Sequence, residues 1–119
     1  MTEDEARNAE AGAETDRRCY IILCGDAENV MPVEAFENSI DILQISRKPA
    51  GSNYARGVLR NKGFEVSITH APKDDQIVVG VTKIVDGKFP RSLVSAKAPN
   101  EQLATARAIL LLDAKWYIG

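Results

Sequence analysis

Histidine occurs once in these 119 residues and cysteine twice. With His70 alone, histidine-based triads and metal sites have nothing to build on. The chain also lacks a Walker-type loop, a glycine-rich dinucleotide fingerprint and an HExxH pair. No catalytic residue, metal ligand or cofactor site is therefore expected, and His70 reads as a surface histidine at a strand end. Cys19 and Cys24 close the two ends of one apolar run. On a strand, positions five apart face opposite sides, so they are expected as two buried, reduced thiols and not as a disulfide.

Long apolar runs are missing too. The longest strongly apolar stretch, Ala108 to Leu112, is far too short to span a bilayer. The acidic start has no basic segment leading into an apolar run, as a secretory signal requires. A cytoplasmic location with no membrane partner is the expectation. Neither sign of charge dominates: the net charge is −2, with three arginines against six carboxylates in residues 1–18 and about +1 from Cys19 onward. A near-neutral body lacks the basic stripe that captures nucleic acid by counterion release, so a nucleic-acid partner is not expected.

What is present is the composition of one small globular domain, 45% hydrophobic and 27% charged. Residues 1–18 have no large apolar side chain after Met1 and are expected to be a disordered acidic tail, leaving 19–119 as a single α+β domain. Cys19 to Cys24 reads as an N-terminal strand. Pro32 to Ile45 fits a helix running into a strand, and Ser46 to Ser52 a loop. A short helix from Tyr54 to Lys62 stops at Gly63. Phe64 to Thr69 alternates cleanly as a strand, and Ala71 to Asp75 is a turn. The β-branched run Gln76 to Val85 and the return from Lys88 to Ala96 flank Asp86-Gly87, a strong hairpin signal. Pro99 is placed to open the last helix, which continues to Lys115 or beyond. The order predicts an antiparallel sheet with two helices packed on one face, an α-β-β-β-α core. In the last helix Leu103, Ala106, Leu110 and Tyr117 form one apolar stripe, and Ile109, Leu112 and Trp116 a second. One sheet face cannot cover both, so the second stripe suggests a homodimer or larger assembly through this helix.

The polar residues of most interest are arginines in apolar settings. Arg107 lies within Leu103 to Leu110, where a guanidinium fork suits an anion clamp at an interface. Arg56 on the short helix and Arg91 beside Pro90 are further ligand-binding candidates. Arg60 and Lys62, near a helix C-terminus, are explained by the macrodipole.

Tyr54 to Leu112 carries a helix running into Lys62-Gly63-Phe64, an alternating strand, a DG hairpin, and an Ala98-Pro99 start leading to Ala106-Arg107-Ala108-Ile109-Leu110. In this it resembles the phage ABA sandwich family, small phage proteins with two helices on an antiparallel sheet. The resemblance implies a phage setting, and hence the host-cell cytoplasm. A small oligomer-prone body without catalytic groups, bearing arginines able to clamp phosphates, then suggests a non-enzymatic anti-defence sponge. Its ligand would be a nucleotide-derived signal of the cyclic nucleotide or cyclic ADP-ribose type. The same helix order is similar to a double-stranded-RNA-binding domain, with Leu103 to Leu110 in its second helix. The expected phosphate-gripping lysines are missing there, since Lys97 to Gln102 holds one lysine and one glutamate. A nucleic-acid-binding module and a protein–protein adaptor are the alternatives.

Overall fold

The computed structural model describes residues 1–25, 29–83 and 91–118. Helices α1 (Glu3–Arg7), α2 (Ala13–Cys24) and α3 (Val33–Glu37) are followed by a 3-10 turn (Asp41–Leu43) and α4 (Pro49–Asn61). Strands β1 (Phe64–Ala71), β2 (Gln76–Lys83) and β3 (Arg91–Ala98) then precede α5 (Glu101–Ala114).

The expected helix, three strands and helix are all present, as an antiparallel sheet of order β1-β2-β3. The register aligns Phe64 with Lys83 and Lys83 with Arg91 at one end, and His70 with Ile77 and Ala98 at the other. A break at Val81/Thr82 leaves Leu93 as the extra residue on β3. The Asp86-Gly87 turn and Pro90 lie outside the described residues. Phe64, Val79, Val81, Val94, Ala96 and Ala98 line the buried face. Over it α5 covers β2 and β3, while α4 lies beside α5 over β1.

The N-terminal third departs from expectation. Cys19 to Cys24 is not a strand but the second half of α2. Six apolar residues in a row suit a buried helix segment as well as a strand. The buried set Thr15, Asp16, Cys19 and Leu23 recurs at helical spacing and decides the matter. Gly25, in the left-handed region at φ 72°, ends the helix. Residues 1–18 are likewise ordered in place of the expected tail. Thr2 and Glu5 form a reciprocal capping box on α1, and Ala6 is fully buried in the main core. A small methyl group was enough because α1 lies close against α5. Pro32 to Ile45 forms α3 and the 3-10 turn and contributes no strand; Phe36 is its buried anchor.

Helix α4 starts at Pro49, inside the expected loop. Gly51 is obligatory there, since a Cβ would stand 2.5 Å from the Gln44 carbonyl. Pro99 precedes α5, and Asn100 caps it by accepting from the Leu103 N–H at 2.9 Å.

Both apolar stripes find partners within the chain from Leu103 to Leu112, whereas Trp116 and Tyr117, beyond the end of α5, stay exposed. The sheet covers one side, and α1, α2 and α4 pack on the rest. Ile109 and Leu112 are fully buried, so the expected self-association through this part of α5 has no exposed surface to use. A helix apolar over most of its surface belongs in the middle layer of a fold, and that is its position.

Candidate functional site

The structure separates the three arginines singled out in the sequence. Arg107 donates from Nε to the Ala9 carbonyl and from Nη1 to the Lys97 carbonyl, each at 2.9 Å. It thereby ties the α1–α2 connection to the end of β3. Burial lowers its pKa, an effect that nearby Glu10 opposes. Arg56 is 5% exposed and donates to Thr105 Oγ1 at 3.2 Å, to Glu101 Oε1 at 3.3 Å and to the Asn53 amide oxygen. It fastens α4 to the first turns of α5. Thr105 and Arg107 are two positions apart on a helix and project roughly 200° from each other. Arg56 and Arg107 therefore do not converge on one ligand. Arg91 is exposed at the start of β3, roughly 20 Å of strand away from Lys97.

A fourth arginine, which sequence reasoning missed, completes a buried ionic cluster. Asp16 is fully buried; its Oδ1 accepts from the Ser46 N–H at 2.7 Å and from the Ser46 hydroxyl. Its Oδ2 accepts from Arg47 Nε at 2.8 Å. Arg47 also donates to the carbonyls of Phe36 at 2.6 Å and Glu37 at 3.3 Å. The Gly12 N–H reaches Ser46 Oγ at 3.1 Å, drawing the start of α2 into the same cluster. With this donor set in place the cluster is a clasp holding α2, α3 and the segment before α4 together. No local sequence signal marks it, because Asp16 and Ser46 are thirty positions apart.

The cysteines also differ from expectation. Cys19 is buried, its thiol directed at the Ala106 carbonyl and its pKa pushed up by burial and by Asp16. Cys24 is exposed instead of buried. It sits beside Tyr20 and Tyr54 and raises the pKa of both; for Tyr54 burial is the larger cause. His70 pairs with Asp75 at 3.2 Å on the surface, and Asp74 with Lys97 at 3.1 Å. Among the described residues no group of three His, Cys, Asp or Glu side chains is arranged to hold a metal ion. No described helix is long and apolar enough to cross a membrane.

The concave spaces suit an anion poorly. A cavity of about 480 Å³ beside the Asp16 clasp is rimmed by Glu10, Glu14 and Glu37. A cleft of about 170 Å³ between α2 and α5 is lined mainly by Met1, Ile21, Ile22 and Leu110.

Cations gather instead at the end of the sheet where β1 and β3 begin. Lys83 stands between Phe64 and Arg91 in the register, with its Nζ 5.0 Å from the Phe64 ring centre. Arg60 occupies the last turn of α4, and Lys62 caps it. Among the described residues none of these four cations has a carboxylate partner.

Trp116 emerges toward the same end. The pairs Arg107–Lys97, Arg7–Ser95 and Lys115–Glu3 show α5 running back along β3, from the Lys97 end toward the Arg91 end. The turn after α5 is a Schellman motif, with Trp116 N–H on Asp113 at 3.0 Å and Tyr117 N–H on Leu112 at 2.9 Å. Trp116 holds the position that glycine usually takes, at φ 62°, and is 92% exposed. It is the only tryptophan in the chain. Its place in the second helical stripe suggested a subunit interface along the helix; the turn that carries it off the helix depends on the backbone.

Compared with family models, curated proteins and solved structures, the chain matches none significantly.

Proposed function

We propose that this chain is a non-enzymatic binding protein that takes a phosphate-bearing, nucleotide-type ligand at the Lys83–Arg91 end of its sheet, with Trp116 as a stacking surface. The observation that carries the reading is the gathering of Arg60, Lys62, Lys83 and Arg91, unpaired with any described carboxylate, toward the end where the sole tryptophan stands exposed. Arg91 remains a ligand contact in this reading, whereas Arg107 and Arg56 become scaffold. Guanidinium and ammonium groups unpaired with carboxylates among the described residues can turn to phosphate oxygens, and an indole face stacks on a base. The phage setting and the role as a sponge for a cyclic nucleotide or cyclic ADP-ribose signal rest on the resemblance over Tyr54 to Leu112.

Trp116 fluorescence tests this directly. Titration with a panel of cyclic dinucleotides, cyclic trinucleotides and cyclic ADP-ribose isomers should quench the emission for at least one member. Arg91→Ala and Lys83→Ala should each weaken that binding at least tenfold without lowering the melting temperature. A panel that leaves the emission unchanged defeats the reading. So does tight binding that neither substitution disturbs. Quenching only by long duplex RNA, with a steep salt dependence, would instead favour a nucleic-acid module.

A further inference from the structure

We propose that the outer edge of β1 is a self-association edge, along which a second copy of this chain adds antiparallel to make one continuous sheet. The two sheet edges are finished differently. On β3, Arg7 donates to the Ser95 carbonyl at 3.1 Å and Arg107 to the Lys97 carbonyl at 2.9 Å. Alternate carbonyls of a strand point to the same side, so two guanidinium groups occupy this edge. On β1, no hydrogen bond among the described residues reaches the outer edge from another element.

The β1 sequence, Phe-Glu-Val-Ser-Ile-Thr-His-Ala, has no lysine, arginine or proline, the residues that usually blunt an open edge. Its core-facing side is also incompletely covered by helix. Val66 is half-buried and Ile68 is 40% exposed, although their partners Val81 and Val79 are fully buried.

A second copy fits this edge by symmetry. A two-fold axis perpendicular to the sheet keeps both buried faces on one side and pairs residues of matching orientation. With Ser67 on the axis, Val66 of each copy meets Ile68 of the other, closing an apolar group of four side chains. Glu65 then opposes Thr69, and Phe64 opposes His70. Lys62, just ahead of β1, comes beside the turn of the second copy, which carries Lys73, Asp74 paired with Lys97, and the fully exposed Asp75 paired with His70. The antiparallel arrangement sends the two basic ends to opposite corners. An eight-residue edge with its flanking side chains covers on the order of 1,000 Å² over both copies, the lower end for a specific interface, so the dimer is reversible.

Sedimentation velocity from micromolar to submillimolar concentration tests the proposal on the full chain. The wild type should show a concentration-dependent monomer–dimer equilibrium. Ile68→Lys, at an exposed position, should weaken it at least tenfold with an unchanged circular dichroism spectrum and melting temperature. Ser67→Cys in a Cys24→Ser background should crosslink to a dimer under mild oxidation, since directly opposed antiparallel residues lie within disulfide reach. A wild type that stays monomeric throughout overturns the proposal. So does an Ile68→Lys variant that dimerises like wild type, or a dimeric Ser67→Cys variant that fails to crosslink. The Trp116 titration reads a separate surface, so either result can fail without the other.

Discussion

Arg107 Nη1 lies 2.9 Å from the carbonyl oxygen of Lys97, joining the middle of the central helix to the end of the last strand. The same guanidinium holds the Ala9 carbonyl through Nε. A side chain that looks like a ligand clamp in the sequence is a three-way internal strut. Arg107→Ala should therefore cost about 1–2 kcal/mol of stability, the scale of one part-buried charge-assisted hydrogen bond and a second that is exposed to solvent. Arg107→Lys should recover only part of it, because an ammonium cannot span both carbonyls. Urea unfolding checks both, and nucleotide binding by the folded variants should match wild type.

Removing residues 1–9 should lower the melting temperature by several degrees. The deletion strips Ala6 from the core, uncovers one side of α5, frees the Ser95 carbonyl and leaves Arg107 Nε without the Ala9 carbonyl. A disordered tail predicts no change, so differential scanning calorimetry separates the two descriptions.

Asp16→Ala should be among the most damaging single changes. It leaves the Ser46 N–H without its acceptor and Arg47 without its counter-charge, at a cost of about 3–5 kcal/mol for breaking a buried pair. Arg47→Ala should cost less if the Ser46 contacts persist. Chemical denaturation of the two variants gives the comparison.

Trp116→Gly should stabilise the fold by about 1 kcal/mol, because glycine meets the positive φ of the Schellman turn without the penalty a bulky residue bears there. The same substitution should weaken nucleotide binding measured by calorimetry. Stability rising while affinity falls distinguishes a surface kept for contact from one kept for packing.

The two thiols should react in sequence. With an exposed Cys24 and a buried Cys19 whose pKa is raised, a thiol reagent at neutral pH should label one cysteine in the native protein. The second should appear only on unfolding. Native labelling of both would place Cys19 outside the core.

The segment Tyr54 to Leu112 was legible in the sequence because its information is local. The alternation of Phe64 to Thr69, the β-branched run from Gln76 and the Gly63 stop each act within a few residues, and the structure uses them all. The region before Pro49 was not legible, since what orders it acts at long range. Asp16 looks like a solvated acid until Ser46 and Arg47 surround it, and Ala6 like a tail residue until α5 lies against it. Cys19 to Cys24 is apolar throughout and carries no period, so burial against α4 and α5 selected helix over strand. The basic end of the sheet and the exposed Trp116 emerge only once α5 has been folded back along β3. The sequence by itself determined the three strands that pair from Phe64 onward; tertiary packing decided that the apolar stretches before Pro49 form helix and 3-10 turn in place of strand, which polar groups became internal struts and which were left facing solvent. The physical reason is that a charged side chain's role is set by the donors and acceptors brought to it, and those come from distant parts of the chain.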